Sequence, residues 1–298
     1  MALRDCQGGR SDWSVRIHLD TDIGGDTDDA CALALLLGSP EAELVGVSTV
    51  HDPTGRRAGY AHQLLERAGR LDVPVAVGAA PSLTTGTIPG GFPDEQRYWG
   101  RLVQPRAAGD AVELLKASAE LGATIVAIGP CTNLALAGSA LRHSPVVLMG
   151  GWNGYPEAGL PQWGPDMDWN VTCDPEAARA VASIAGELTL APLAVTMRAQ
   201  LRERHLPRLR AAGAVGELLA RQAVEHAQDH QQRGDLLNFQ YDSVACLTAL
   251  GWPGVTVENT SLASIADIDG GRSIRSVSDI DAGRFSDTWL SAIQRLGA

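Results

Sequence analysis

Short apolar runs bounded by turn residues alternate with segments of helical period along the first two thirds of the chain. A parallel strand pair needs a crossover long enough to hold a helix, so this alternation reads as a parallel sheet covered by helices. The runs predict strands over Val15 to Leu19, Leu44 to Val50, Val73 to Val77, Thr124 to Ile128, Val146 to Met149 and Leu188 to Val195. Between them, helices are predicted over Asp28 to Leu37, Arg56 to Ala68, Ala111 to Leu121, Asn133 to Leu141 and Pro175 to Ser183. After Thr196 the pattern turns helical, with Tyr241 to Leu250 among the helices, and late strand-like stretches follow near Val255 to Ile265 and Ser273 to Val277.

The expected fold is therefore α/β: an open, mostly parallel, Rossmann-like sheet with helices on both faces. A chain of 298 residues, 45% hydrophobic, can bury one large core, and no linker, charge block or solenoid repeat divides it. A single domain over residues 15 to 298 is expected, behind a loose N-terminal tail of residues 1 to 14. In such sheets ligands bind beyond the carboxyl ends of the strands, where the acidic and glycine-rich segments of this chain fall.

The formal charge of -11 argues against a nucleic-acid partner, since phosphate contacts need clustered Lys and Arg. It suits a site that holds a cation. Lys116, the sole lysine, falls in a helical pattern and reads as helix surface. Five cysteines without CxxC spacing argue against a disulfide framework and a zinc cluster and fit a reducing cytosol. No window reaches the roughly 18 apolar residues of a membrane span, and the N-terminus lacks a signal-peptide core, so a soluble cytoplasmic protein with no membrane partner is expected.

The first strand runs into Asp20-Thr21-Asp22-Ile23-Gly24-Gly25-Asp26-Thr27-Asp28-Asp29. Five carboxylates in ten residues repel one another unless a cation, a helix N-terminus or hydrogen bonds offset them. Asp28 and Asp29 at a helix start account for two; a hard divalent ion accounts for all. An EF-hand starting at Asp20 fails, because Gly24 and Cys31 stand where ligands are required. A haloacid-dehalogenase-type, magnesium-dependent phosphatase also begins with a strand and DxD, but Gly24 and the near absence of lysine oppose it.

The loop resembles the signature of nucleoside hydrolases, in its DTDIG-x-D-x-DDA variant. Other segments are similar to that family in the same order: Ile128 to Ala135 to its GPLTNLA turn, Val147 to Gly151 to its VLMGG strand end, Asp168 to Ala178 to its EFN…DPEAA segment, and Tyr241 to Ala245 to its HDPLA helix start. The resemblance implies a calcium-dependent hydrolase of the N-glycosidic bond of ribonucleosides, commonly a homodimer or homotetramer. It makes Asp22, Asp29, Asp242 and the backbone carbonyl of Thr132 the metal ligands, with Asp22 taking a proton from a calcium-bound water. It gives the ribose to Asp28, Asp168 and Asn170. Taken singly, Asp242 and Thr132 also read as helix caps and Asn170 as a turn residue. A non-enzymatic calcium- and ribose-binding protein would need the same groups.

Some positions depart from the family. Val50-His51-Asp52-Pro53 replaces VxGN, so Asp52 is expected to stand in for a ribose-contacting Asn, and His51 to be an exposed loop residue. Asp168 is one methylene shorter than the family's Glu, Trp99-Gly100 takes the place of a base-pocket HG, and Tyr241 replaces a His, leaving a phenol to assist the departing base. Trp152 and Trp163 are expected to stack on the base, and Trp169 to pack in the core.

Overall fold

The computed structural model describes residues 14–106, 109–261 and 272–297. The expected tail, Ser14 excepted, and the end of the stretch predicted near Val255 to Ile265 lie outside the described residues. The strands are β1 (Val15–Thr21), β2 (Ala42–Thr49), β3 (Val75–Val77), β4 (Thr124–Ala127), β5 (Pro145–Met149), β6 (Glu187–Ala191), β7 (Gln200–Arg202), β8 (Leu236–Phe239), β9 (Val255–Ser261) and β10 (Ser273–Ile280). The helices are α1 (Asp28–Gly38), α2 (Arg56–Arg67), α3 (Glu95–Trp99), α4 (Ala111–Glu120), α5 (Thr132–Ala137), α6 (Trp169–Thr172), α7 (Pro175–Ile184), α8 (Leu193–Thr196), α9 (Leu206–Arg210), α10 (Gly213–Asp229), α11 (Tyr241–Ala249) and α12 (Ala282–Arg295).

Eight strands form one sheet in the order β3-β2-β1-β4-β5-β6-β10-β9, parallel throughout except for the β9–β10 pair. Side chains alternate across it as the two-residue period of a strand requires. In β4 and β5, Ile125, Ala127, Val146 and Leu148 join the core under α4, α5 and α7, beside Leu115, Leu134 and Val181. Val126, Val147 and Met149 face the opposite core, with Leu33 of α1, Leu219 of α10, Val244 of α11 and Trp289 of α12. Helices thus cover both faces, as expected. Helix α1 is apolar all round after its first turn, and every one of its residues is buried.

The strand order runs outward in opposite directions from β1 and from β4, so a crevice opens between their carboxyl ends. The predicted helix from Asn133 to Leu141 divides into α5 and a 3-10 turn, because Gly138 takes φ 58° and breaks the α geometry. The strand predicted from Leu188 to Val195 stops at Ala191, since Pro192 starts the short helix α8. The β7–β8 ribbon and α12 were not among the predicted elements.

Candidate active site

Thr21, the last residue of β1, folds the acidic loop: its hydroxyl accepts from Ile23 N at 3.1 Å and donates to the Asp29 carboxylate. The loop then enters α1, which places Asp28 and Asp29 in its first turn. Asp242 occupies the first turn of α11, packed beside α1. Two helix N-termini therefore converge on one point, each with a positive dipole end that favours anions. One carboxylate oxygen from each of Asp28, Asp29 and Asp242 lies within 4.8 Å of the others, and all three residues are buried.

Such crowding is costly for bare carboxylates. Burial, then the charges of its neighbours, raises each of the three well above the usual range: Asp26 and Asp29 act on Asp28, Asp22 on Asp29, and Asp28 and Asp29 on Asp242. The donors are oxygens alone, and a hard divalent cation fits them far better than zinc or copper, which prefer nitrogen and sulfur.

These acids line a cavity of about 490 Å3 at the β1–β4 crevice, within the range that holds a small molecule. Asp22 lines it too; one of its oxygens accepts from Trp169 Nε1 at 3.2 Å. Burial raises the Asp22 carboxyl, while Arg57 and the Trp169 bond act in the opposite direction. Across the cavity, Gly151 N at 2.6 Å and Val171 N at 3.2 Å donate to Asp168, whose carboxyl burial nonetheless pushes up to about 6. Gly150 makes this possible: it holds φ +139°, and a Cβ there would sit 3.2 Å from the Asp168 oxygens. Asn170 donates to the carbonyls of Ile128 at 2.9 Å and Met149 at 3.1 Å, which ties the ends of β4 and β5 to α6. Met149, Trp163, Leu193 and Tyr241 form an apolar wall.

The cavity therefore brings together Asp22, Asp28, Asp29, Asp168, Asn170, Tyr241 and Asp242. Thr132 stands apart: its hydroxyl donates to Asp174 Oδ2 at 2.6 Å, and Ile128, four residues earlier, is the member of that turn that lines the cavity. Asp52 is turned away as well, accepting from Thr49 Oγ1 and Ala58 N, both at 3.0 Å, as the internal brace of its loop. Trp152 packs edge-on against Tyr155 outside the cavity, whereas Trp163 lines it.

Several expectations are corrected. His51 is buried, at φ 51°, with Nε2 3.2 Å from Thr132 Oγ1, because the loop folds inward over α5. Trp169 lies half exposed at the cavity, held there by its bond to Asp22. Trp99 stacks on Tyr60 in the core at 4.6 Å between ring centroids and contributes nothing to the cavity. Sequence reasoning also missed Arg57, which lines the cavity and donates to the carbonyls of Asp22, Ile23 at 3.2 Å and His51 at 3.2 Å. Its place on the buried face of the amphipathic α2 was the available signal. Asp20, the nucleophile a phosphatase would require, is fully buried beneath the site, accepting from Ser48 and Asn133.

The family model for inosine-uridine preferring nucleoside hydrolases matches residues 17–286, nearly the whole described fold. The chain belongs to the nucleoside hydrolase family. Among relatives of this nucleoside hydrolase, the pyrimidine-specific ribonucleoside hydrolase RihA of Shewanella sp. (strain ANA-3) is 34% identical, over 68% of each chain. The non-specific ribonucleoside hydrolase RihC of Salmonella agona (strain SL483) is 35% identical, over 69% of this chain and 70% of its own. Solved nucleoside hydrolases share the fold: the plant enzyme PpNRh1 has a TM-score of 0.77 at 21% identity, covering 95% of this chain and 99% of its own. The purine-preferring ribonucleoside hydrolase from Gardnerella vaginalis has a TM-score of 0.72 at 23% identity, with the same coverage.

Proposed function

We propose that this nucleoside hydrolase cleaves the N-glycosidic bond of ribonucleosides with the help of one bound calcium ion, releasing ribose and the free base. The observation that carries this reading is the convergence of Asp28, Asp29 and Asp242 at the acidic end of a cavity whose other wall is apolar and aromatic. A sugar with vicinal hydroxyls matches the first half, and a flat heterocycle the second.

The ion would be held by carboxylates drawn from Asp22, Asp29 and Asp242, with Asp28 beside them and the backbone carbonyl of Ile128 in place of Thr132. When bound, it supplies positive charge that acidifies water and fixes the sugar hydroxyls. Asp22 receives the proton of the attacking water. Its carboxylate suits that role because Trp169 Nε1 fixes one oxygen and Arg57 is hydrogen-bonded to its own carbonyl. Asp28, Asp168 and Asn170 orient the ribose, so that binding energy places the anomeric carbon for an oxocarbenium-like transition state. Tyr241 and Trp163 hold the base against the apolar wall.

Cys31, Cys131, Cys173 and Cys246 are free thiols. Among the described residues no helix is long and apolar enough to cross a membrane. Incubation of the purified chain with a panel of purine and pyrimidine ribonucleosides, followed by a reducing-sugar assay, tests the reading: ribose appears from at least one of them. Stoichiometric nucleoside binding without sugar release supports a binding protein instead.

A further inference from the structure

An N-glycosidic bond breaks with its electron pair going to a base nitrogen, and a natural base leaves readily only if that nitrogen is protonated. The other polar groups of the cavity are poorly suited to supply that proton. The Tyr241 ring packs against Phe239 at 5.5 Å between centroids, and a phenol, with an ordinary pKa near ~10, is a weaker proton donor at neutral pH than an imidazolium. Asp168 is held at the sugar end of the cavity by the backbone N–H groups of Gly151 and Val171 and is given to the ribose. Arg57 is committed to three carbonyls.

One imidazole lines the same cavity among the described residues. His230 caps the C-terminus of α10 and is exposed at the rim. Its Nδ1 lies 3.1 Å from the His226 carbonyl, which can only accept, so Nδ1 carries a hydrogen and Nε2 is the ring nitrogen left for a ligand. The ring is stacked on His226 at 4.0 Å between centroids and 24° between planes. His226 in turn is fixed through Nδ1, 3.3 Å from the Leu237 carbonyl, and Nε2, 3.3 Å from Asp26 Oδ1. Asn238 Nδ2 at 3.1 Å and Thr27 N at 2.6 Å hold Asp26 in place. The acidic loop, α10 and β8 thus build one support for the orientation of a single exposed imidazole.

We propose that His230 is a catalytic residue, the general acid that delivers a proton from Nε2 to a ring nitrogen of the departing base. The assignment rests on the N-glycosidase reading above and adds a residue to it. As the bond between the anomeric carbon and the base nitrogen breaks, its electron pair stays on the base, which takes the His230 proton and leaves neutral. Water adds hydroxide to the anomeric carbon, and its other proton passes to Asp22. His230 is left as a neutral imidazole with Nδ1 protonated. Rim exposure lets solvent restore the Nε2 proton, while Asp22 returns its own to solvent, so each turnover consumes one water.

The test compares a natural ribonucleoside with 4-nitrophenyl riboside, whose leaving group departs without a proton. His230→Ala lowers kcat on the nucleoside by about 10²-fold or more and leaves 4-nitrophenyl riboside within about threefold of wild type. His230→Gln, which retains a hydrogen-bond donor but no transferable proton, shows the same split. Equal losses on both substrates in both variants, or unchanged nucleoside turnover in either, overturn the assignment. Turnover of 4-nitrophenyl riboside by the wild type separately reports on the N-glycosidase reading, and its retention in the variants shows that they fold.

Discussion

The indole of Trp169 donates to Asp22 Oδ2 across 3.2 Å, joining a half-exposed aromatic at the cavity to the carboxylate at its acidic end. The bond fixes one oxygen of the proposed base. Trp169→Phe keeps the ring and removes the donor, a loss of about 1 kcal/mol, or some fivefold in kcat, with a smaller change in KM. Steady-state kinetics on a ribonucleoside checks this; a change confined to KM would assign Trp169 to substrate packing alone.

Arg57 ties two loops together through the carbonyls of Asp22, Ile23 and His51. Its removal leaves three acceptors without donors and takes positive charge away from the acidic loop. Arg57→Met is expected to cost about 2–4 kcal/mol, seen as a lower melting temperature that calcium restores only in part. An unchanged melting curve would mean that the loops hold themselves.

Tyr241 and His230 line one cavity but differ in what they can give. The phenol offers a hydrogen bond and packing against Phe239, 5.5 Å away between ring centroids. Tyr241→Phe should therefore slow natural nucleosides and 4-nitrophenyl riboside alike, each by less than about tenfold. A loss selective for natural nucleosides would make Tyr241 the proton donor.

Removing the metal should expose the strain of the carboxylate cluster. Asp28, Asp29 and Asp242 have folded-state pKa values raised above those of the unfolded chain. Their contribution is favourable below about pH 4, where both states are protonated, and is lost as pH rises through the raised values, because the folded state must then give up protons it binds more tightly. Chelator-treated protein is expected to melt at lower temperature at pH 8 than at pH 5. Calcium at about a hundred times its Kd should raise the melting temperature by roughly 5–10 °C at pH 8, and by less at pH 5. A chelated protein that gains stability from pH 5 to pH 8 would show that other groups dominate.

Much of the sheet and of the acidic centre was legible in the sequence. Strands such as β4 and β5 are buried on both faces and read as continuous apolar runs, and the crowded Asp20 to Asp29 loop identifies itself by repulsion alone. What was not legible depends on the third dimension. Thr132 and Ile128 are four residues apart in one turn, and only the path of the chain shows that Ile128 lines the cavity while Thr132 turns to Asp174. His51 looks like a loop residue until the loop closes over α5. Arg57 and His230 reach the cavity from the ends of α2 and α10; a helical pattern can mark such a residue as buried or capping but does not show which cavity it faces.

Dependence on calcium is read most plainly from ribose release by chelator-stripped protein as calcium is added back. Release is expected to be negligible without metal, to recover and saturate at about one equivalent per chain, and not to recover in Asp29→Ala or Asp242→Ala. Full release after stripping, or recovery in both variants at the same calcium concentration as wild type, would contradict this dependence.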